Sequence, residues 1–393
     1  MSRRTTKIAT DAVATMLVES ACGGESGGSC GEGSSSEDIV VGTTTGLTGA
    51  IASACKPIND GSLAWFDAFN EAGGVDGRMI KNIVLDDGYD AAKALANARE
   101  LAADGVLAFF GGCGSLQPPA VVTVSDREKI PYIMPSAGLP EIITNEHIRT
   151  AYPLFADQLR GIVEWEMERS GPGKAFVINA RQPGHETTLA AAAEGAEAAG
   201  GEVVDTFTVN SGESNWGPIA LKVKQADVDY VVMHLTAADA ARLVKALQDS
   251  SAVPAKSFIG TSVMLSDAFL GPVGTSVDGK IVTPANVAPP TSEKAKSCLD
   301  EMEARDVPAD QSSLAGCAFA QVLTTALSET EDLTREGLLA TIDSWKDKSA
   351  TDLLPPLTFS STQHIGMSTM EILTVENGKP VLIDGESFGL TLR

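Results

Sequence analysis

The sequence has little positive charge, and this shortage excludes several classes of partner. Its 393 residues include 29 Lys and Arg against 52 Asp and Glu, a formal net charge of −23. A nucleic-acid partner needs a basic surface to neutralise its phosphates. Anionic membrane leaflets also attract basic segments. We therefore expect neither nucleic acid nor an anionic lipid surface to be the main partner.

Aromatic residues and long apolar runs are also scarce. Only 5% of the residues are aromatic, whereas 43% are hydrophobic and 38 are glycine. This composition excludes wholesale disorder and favours an α/β fold with tight turns over an aromatic-rich β-sandwich. At roughly 100–200 residues per domain, the length indicates two or three domains. Beyond the N-terminus no stretch approaches the ~20 apolar residues of a membrane span, so we expect a soluble body.

Motifs of common catalytic sites are missing as well. The sequence has no nucleophile elbow, P-loop or zinc-helix motif, and the four histidines, at 147, 185, 234 and 364, are isolated. The cysteine spacings do not resemble a zinc site. Gly-Gly-Cys-Gly-Ser at 111–115 suggests a thiol nucleophile, but a disulfide is the favoured interpretation of Cys113. We expect a protein that is not an enzyme and has no cofactor or metal.

The N-terminus resembles a bacterial export signal. Three basic residues precede a mostly apolar stretch at 8–18, and small residues lead to Cys22. This order predicts a signal peptide at 1–21, a lipidated Cys22 and a flexible Gly/Ser-rich tether at 22–37. We therefore expect an exported cell-surface or periplasmic lipoprotein, anchored to the outer face of the cytoplasmic membrane. A short N-terminal helix is the alternative.

Strand-like and helix-like segments alternate from residue 38 onward. Four apolar strands with intervening helices occupy 39–134, and the same rhythm restarts after about residue 155 and continues to 260. Continuous apolar strands are typical of a parallel sheet covered by helices on both faces. The pattern predicts two doubly wound α/β lobes, with ligands bound beyond the carboxyl ends of the strands.

The rest of the chain is expected to complete both lobes. Residues 358–384 alternate apolar and polar positions around Asn377 and Gly378, which predicts a β-hairpin. Three Pro-containing crossings form a hinge, near 153–157, 284–290 and 353–356. The predicted lobes are 38–154 plus 286–353, and 155–285 plus 354–393.

Several motifs make the sequence similar to one known family. These are the segment 39–72 with its Gly46-Leu47-Thr48-Gly49 loop, Gly73-Gly74-Val75-Asp76-Gly77, the pair Asp86 and Asp87, Ile130-Pro131, and Pro135-Ser136-Ala137. They resemble the branched-chain amino acid and amide binding proteins of ABC transporters, and weaker likeness extends over most of 38–393. The resemblance implies the two-lobed type I periplasmic binding protein fold. It also implies a monomeric receptor that closes about its hinge on a small polar solute and delivers it to an ABC permease in the cytoplasmic membrane.

The resemblance also assigns first-lobe ligand-binding positions. They follow the first, third and fourth strands and are Ser53, Ala54, Gly114, Ser115, Ser136, Ala137 and Gly138. Backbone N–H groups and hydroxyls at such strand ends can hold a carboxylate or amide oxygen. Helix N-capping is the alternative role for Ser115 and Ser136.

The second lobe departs from the family pattern. The matching positions are Pro183, Thr236 and Ser262, and His185 and His234 are nearby polar candidates for ligand contact. Family members that bind amino acids have a Tyr-Gly pair at 183–184, an aromatic residue near 236 and an acidic residue near 262. An ammonium buried without an acceptor is costly. A branched-chain amino acid is the family default, while an amide, a urea-like compound or a small organic or aromatic acid is the alternative ligand. A sensory ligand-binding component is a further alternative function.

The cysteines indicate an oxidising compartment. Spacing alone allows three pairings of Cys55, Cys113, Cys298 and Cys317, and four buried thiols remain an alternative. Within the family fold, Cys55 and Cys113 both approach the cleft rim, whereas Cys298 and Cys317 lie on consecutive helices. We therefore favour the pairs Cys55–Cys113 and Cys298–Cys317.

Overall fold

A computed structural model describes residues 37–390, apart from positions 50, 137, 183 and 211. The predicted signal peptide, Cys22 and all but the last residue of the tether lie outside this range. Within it, no helix combines the length and the apolar character needed to cross a membrane.

The first part of the chain forms a five-stranded parallel sheet. Its elements are β1 (Ile39–Thr45), α1 (Ala52–Glu71), β2 (Ile80–Asp86), α2 (Ala91–Ala103), β3 (Ala108–Phe110), α3 (Gln117–Glu128), β4 (Tyr132–Ile133), α4 (Pro140–Ile143) and β5 (Ile148–Arg149). The strand order is β2-β1-β3-β4-β5. Every residue of β3 and β4 is buried, because helices cover both faces of a parallel sheet.

The rest of the chain forms a seven-stranded sheet and also supplies helices that pack on the first part. Its elements are α5 (Phe155–Ser170), β6 (Lys174–Ala180), α6 (His185–Ala198), β7 (Glu202–Val209), α7 (Gly217–Ala226), β8 (Tyr230–His234), α8 (Ala237–Asp249), β9 (Ser257–Gly260), α9 (Asp267–Val273), β10 (Ile281–Pro284), α10 (Lys296–Glu303), α11 (Gln311–Glu329), α12 (Arg335–Asp343), β11 (Thr369–Glu376) and β12 (Lys379–Gly389). The order is β12-β11-β10-β9-β8-β6-β7, and only the pairings made by β11 are antiparallel. The predicted α/β fold of two doubly wound sheets is confirmed.

The C-terminal hairpin begins later than the sequence pattern indicated. It starts at residue 369 rather than 358 and turns at Asn377 and Gly378. The preceding segment stays with the first sheet: the backbone of Leu357 hydrogen-bonds with Lys348, and Gly366 N donates to Thr150 O at 2.8 Å. These contacts favour a third crossing near residue 367. The lobe boundaries themselves stay a prediction.

Helix α11, which lies late in the chain, packs directly on α1. A Cβ atom at Gly61 would lie 2.0 Å from Ser313 O, and one at Gly316 would lie 1.8 Å from Ile58 O. The Ser62 hydroxyl donates to Gly316 O at 3.0 Å, which holds the two backbones together. The approach therefore depends on a glycine in each helix.

We expect Gly316→Ala to destabilise the protein by about 1–3 kcal/mol, because the added methyl group meets a backbone carbonyl that cannot turn away. Gly271→Ala is the matched control, since Gly271 is also helical but its Cβ would meet no atom within 4 Å. The control should be neutral or stabilising by about 0.5–1 kcal/mol. Urea denaturation measures both variants, and equal stabilities would contradict the close approach.

Candidate functional site

A cavity of about 170 Å³ lies at the carboxyl ends of the strands, with walls from both sheets. Eight of the predicted positions line it, namely Ser53, Ala54, Gly114, Ser115, Ser136, His234, Thr236 and Ser262. One water needs about 10–15 Å³ on this scale, so the cavity accommodates a solute of about a dozen non-hydrogen atoms. Most of the predicted ligand-binding positions therefore lie around one cavity.

The other predicted positions lie elsewhere or outside the described residues. A Cβ atom at Gly138 would lie 2.6 Å from Pro153 O, so this glycine packs against the chain leading to α5 rather than lining the cavity. His185 borders a separate surface hollow with Arg181, and its Nδ1 is 2.9 Å from Gln182 O. Ala137 and Pro183 are not among the described residues.

A disulfide holds the first-lobe wall together. Cys55, in the first turn of α1, is bonded to Cys113 in the β3–α3 loop, with 5.4 Å between their Cα atoms. The second disulfide joins Cys298 to Cys317, so both pairs are those that the sequence favoured. The Cys55–Cys113 bond fixes the start of α1, which carries Ser53, against the loop that carries Ser115.

The β3–α3 loop requires glycine where it meets the cavity. Gly114 has φ +104°, and a Cβ there would lie 2.6 Å from Ile51 Cδ1 and 2.8 Å from Tyr89 Cε2. The next residue, Ser115, hydrogen-bonds with Tyr89. Leu116 rather than Ser115 is the N-cap of α3. The Ser115 hydroxyl is therefore held at the wall of the cavity and is not used as the helix cap.

His234 closes the second-lobe wall and is neutral. It ends β8, is 2% exposed, and packs on Phe155 with 4.7 Å between ring centroids. Its Nε2 atom hydrogen-bonds with the Gln182 amide, and its Nδ1 atom lies 3.5 Å from Thr261 Oγ1. Burial lowers the pKa of His234 to about 4. The ring thus brings hydrogen-bonding capacity without charge at neutral pH.

Two predicted hydroxyls already have partners in the protein. Ser262 Oγ is 3.0 Å from the Tyr152 hydroxyl, which joins the loop after β9 to the segment after β5. Burial raises the pKa of Tyr152 to about 12, so this phenol stays protonated. Thr236 caps α8: its Oγ1 accepts from Asp239 N at 3.2 Å and donates to Asp239 Oδ2 at 2.9 Å. The hydroxyl groups of Ser262 and Thr236 are therefore already hydrogen-bonded within the protein, and these side chains contribute mainly to the shape of the cavity wall.

The described residues that line the cavity include no Asp, Glu, Lys or Arg. Asp239, a buried acid of α8, is outside the lining and is paired with Arg242 and Gly212 N. Groups of three or more His, Cys, Asp or Glu that could hold a metal are also absent from the described part of the chain. With His234 neutral, the cavity has no formal charge.

Sequence reasoning missed several lining residues. They come from the loops after β2, β6 and β9, the crossings between lobes and the start of α11, and the polar and aromatic ones are Tyr89, Tyr152, Phe155, Gln182, Ser266, Asn286, Gln311 and Ser312. Tyr152, Phe155 and Asn286 lie in or beside the predicted crossings at 153–157 and 284–290. Because hinge segments border the cleft, those crossings could have indicated these three residues.

Comparison with known proteins was made at the level of family, sequence and structure. A family model described as "Periplasmic binding protein" matches residues 38–380. The leucine-, isoleucine-, valine-, threonine- and alanine-binding protein of Pseudomonas aeruginosa is 28% identical over 188 residues, which are 47% of this chain and 50% of that protein. This match therefore spans half the length of that relative.

Solved structures share the fold along most of the chain. A branched chain amino acid ABC transporter from Thermus thermophilus with bound valine has a TM-score of 0.78 at 18% identity, covering 91% of this chain and 97% of that one. A fatty acid ABC transporter substrate-binding protein from Thermomonospora curvata has a TM-score of 0.77 at 22% identity, covering 91% and 93%. Structural likeness to proteins with such different ligands does not select a solute for this cavity.

We expect the His234 ring to stay neutral when the folded protein is acidified from pH 7 to about pH 5. In the unfolded chain the imidazole of His234 takes up a proton near pH 6.5, whereas in the folded chain it does so only near pH 4. The free energy of unfolding therefore decreases by about 3 kcal/mol as the pH falls from 6.5 to 4. NMR titration of the imidazole protons tests the pKa, and denaturation across pH compares the wild type with His234→Gln. An identical pH dependence of stability in the variant would contradict the assignment.

Proposed function

Because the chain belongs to the periplasmic binding protein family, we propose that it is the extracytoplasmic solute receptor of an ABC importer. The observation that carries the proposal is the cavity between the two sheets, which residues from both lobes line. A solute that contacts both walls stabilises the closed arrangement and so drives hinge closure. The closed monomer then delivers the solute to a permease in the cytoplasmic membrane.

A branched-chain amino acid is the first candidate ligand. The relative from Pseudomonas aeruginosa is named for leucine, isoleucine and valine, among others. The size of the cavity suits these solutes, and Ile51, Ile58 and Val263 give its lining apolar surface for an aliphatic side chain. The first-lobe strand ends, with Ser115 and Ser136, would hold the carboxylate through hydroxyl and N–H groups.

The uncharged lining favours a second candidate, a solute without an ammonium group. A buried ammonium needs an acceptor to offset its desolvation, and the described lining has no carboxylate for this purpose. An amide, a urea-like compound or a small organic or aromatic acid avoids that cost. The two candidates share one site, and the decisive difference between them is whether the ligand carries an ammonium group.

Thermal-shift screening with leucine, isoleucine, valine, aliphatic amides, urea and small organic acids tests the function. A ligand that binds only the folded state at 100 times its Kd adds about 2.7 kcal/mol of stability, which raises the melting temperature. We expect at least one of these solutes to do so at millimolar concentration. An unchanged melting temperature with all three branched-chain amino acids would exclude the first candidate, and no shift with any solute would contradict the receptor proposal for this ligand range.

The membrane anchor is proposed from the sequence pattern at Cys22. We expect a fatty-acid label fed to the producing cells to appear on the protein and to be lost completely in Cys22→Ser, with release of the protein from the membrane fraction. Cys30→Ser, in the same tether, is the matched control and should keep the label. Label on Cys22→Ser, or none on the wild type, would contradict the anchor.

A further inference from the structure

Two buried amide oxygens, each on a side chain that lines the cavity, have no hydrogen-bond partner among the described residues. They are Gln311 Oε1 and Asn286 Oδ1. The two side chains are 4% and 9% exposed, and both line the cavity. Native proteins satisfy nearly all of their buried polar groups, so each of these oxygens calls for an explanation.

The orientation of the Gln311 amide follows from its own hydrogen bond. Its Nε2 donates to Val287 O at 2.7 Å, so its oxygen faces away from that carbonyl. Val287 directly follows Asn286, which brings the two amides to the same part of the wall, where the chain leaving β10 meets the start of α11. The helix cap is supplied by Asp310, which accepts from Ser312 N and Ser313 N, so Gln311 is not needed for capping.

Amide oxygens can only accept hydrogen bonds. The partner that they lack is therefore a donor, and the cavity is where a solute would supply it. A carboxylate placed against them would be repelled, whereas an N–H group would satisfy both. Since the described lining is uncharged, any acceptor for a nitrogen-bearing head group there must be neutral, and these oxygens are acceptors of that kind.

We propose that Gln311 and Asn286 form the subsite for a nitrogen-bearing head group of the solute, a proposal that rests on the proposed receptor function. The two oxygens accept N–H donors from either a carboxamide or an ammonium. An amide NH2 group offers two donors and needs no opposite charge. An amino acid brings its own carboxylate to the first-lobe strand ends. The subsite therefore binds solutes that carry N–H donors and disfavours a solute whose only polar group is a carboxylate.

The test uses three probes with one aliphatic chain: leucine, 4-methylpentanamide and 4-methylpentanoate. Calorimetric titration of the full chain should give binding of at least one nitrogen-bearing probe and at least about tenfold weaker binding of 4-methylpentanoate. Gln311→Met and Asn286→Ala should each weaken the nitrogen-bearing probe by about tenfold and leave the carboxylate probe unchanged. Asn286→Asp should strengthen leucine relative to the amide if the seated nitrogen is an ammonium, and it should not do so if it is an amide nitrogen.

Gln321→Met is the matched control, because Gln321 is a buried amide of the same helix whose oxygen already accepts from Thr351. It should keep the preference for nitrogen even if it lowers the melting temperature. Equal binding of 4-methylpentanoate and the best nitrogen-bearing probe would overturn the subsite while leaving the receptor function intact. Unchanged affinity for the nitrogen-bearing probe in both Gln311→Met and Asn286→Ala would also overturn the subsite. Absence of binding by all three probes and by the wider screen would instead contradict the receptor proposal, and the subsite with it.

Discussion

The parallel direction of the strands is the constraint on which the cavity depends. In a parallel sheet every strand ends at the same edge, so the loops after β1, β3 and β4 necessarily lie side by side. The second sheet brings the loops after β8 and β9 together in the same way. Residues that are far apart in the chain, such as Ser53 and Ser136, therefore share one wall, and small residues at these strand ends leave backbone groups accessible.

The charge of the cavity is set locally and differs from that of the whole molecule. The chain has a net charge of −23, yet the described lining of the cavity has no formal charge, and burial keeps His234 neutral. The buried acid of α8, Asp239, already interacts with Thr236, Gly212 and Arg242. The overall negative field affects how fast a charged solute reaches the protein and how soluble the protein is. The head group of a bound solute would instead contact hydroxyls, amides, the neutral His234 ring and backbone dipoles.

The strand ends could be predicted from the sequence, whereas the contacts that the crossing segments make could not, for a physical reason. The positions after β1, β3, β4 and β8 follow from periodicity together with the family motifs, and both disulfide pairs followed from where that fold places the cysteines. Asn286 and Gln311 meet the cavity only because the chain leaving β10 packs against α11, and no local pattern encodes that contact. Nor does a sequence show which hydroxyls are already engaged, as Ser262 is by Tyr152 and Thr236 is by Asp239. Short elements such as α4 and β5 lack the length that a periodic pattern needs.

Because of the Cys55–Cys113 bond, the order of the first-lobe wall depends on whether the surroundings are oxidising or reducing. It joins the first turn of α1 to the β3–α3 loop, so two segments that carry lining residues are linked covalently before any solute arrives. Ordering that is complete in advance lowers the entropy lost on association. In a reducing cytosol these two segments would lack their covalent link, and the proposed solute would be held less tightly there. The proposed receptor would then bind little of its solute inside the cell until export and oxidation had taken place.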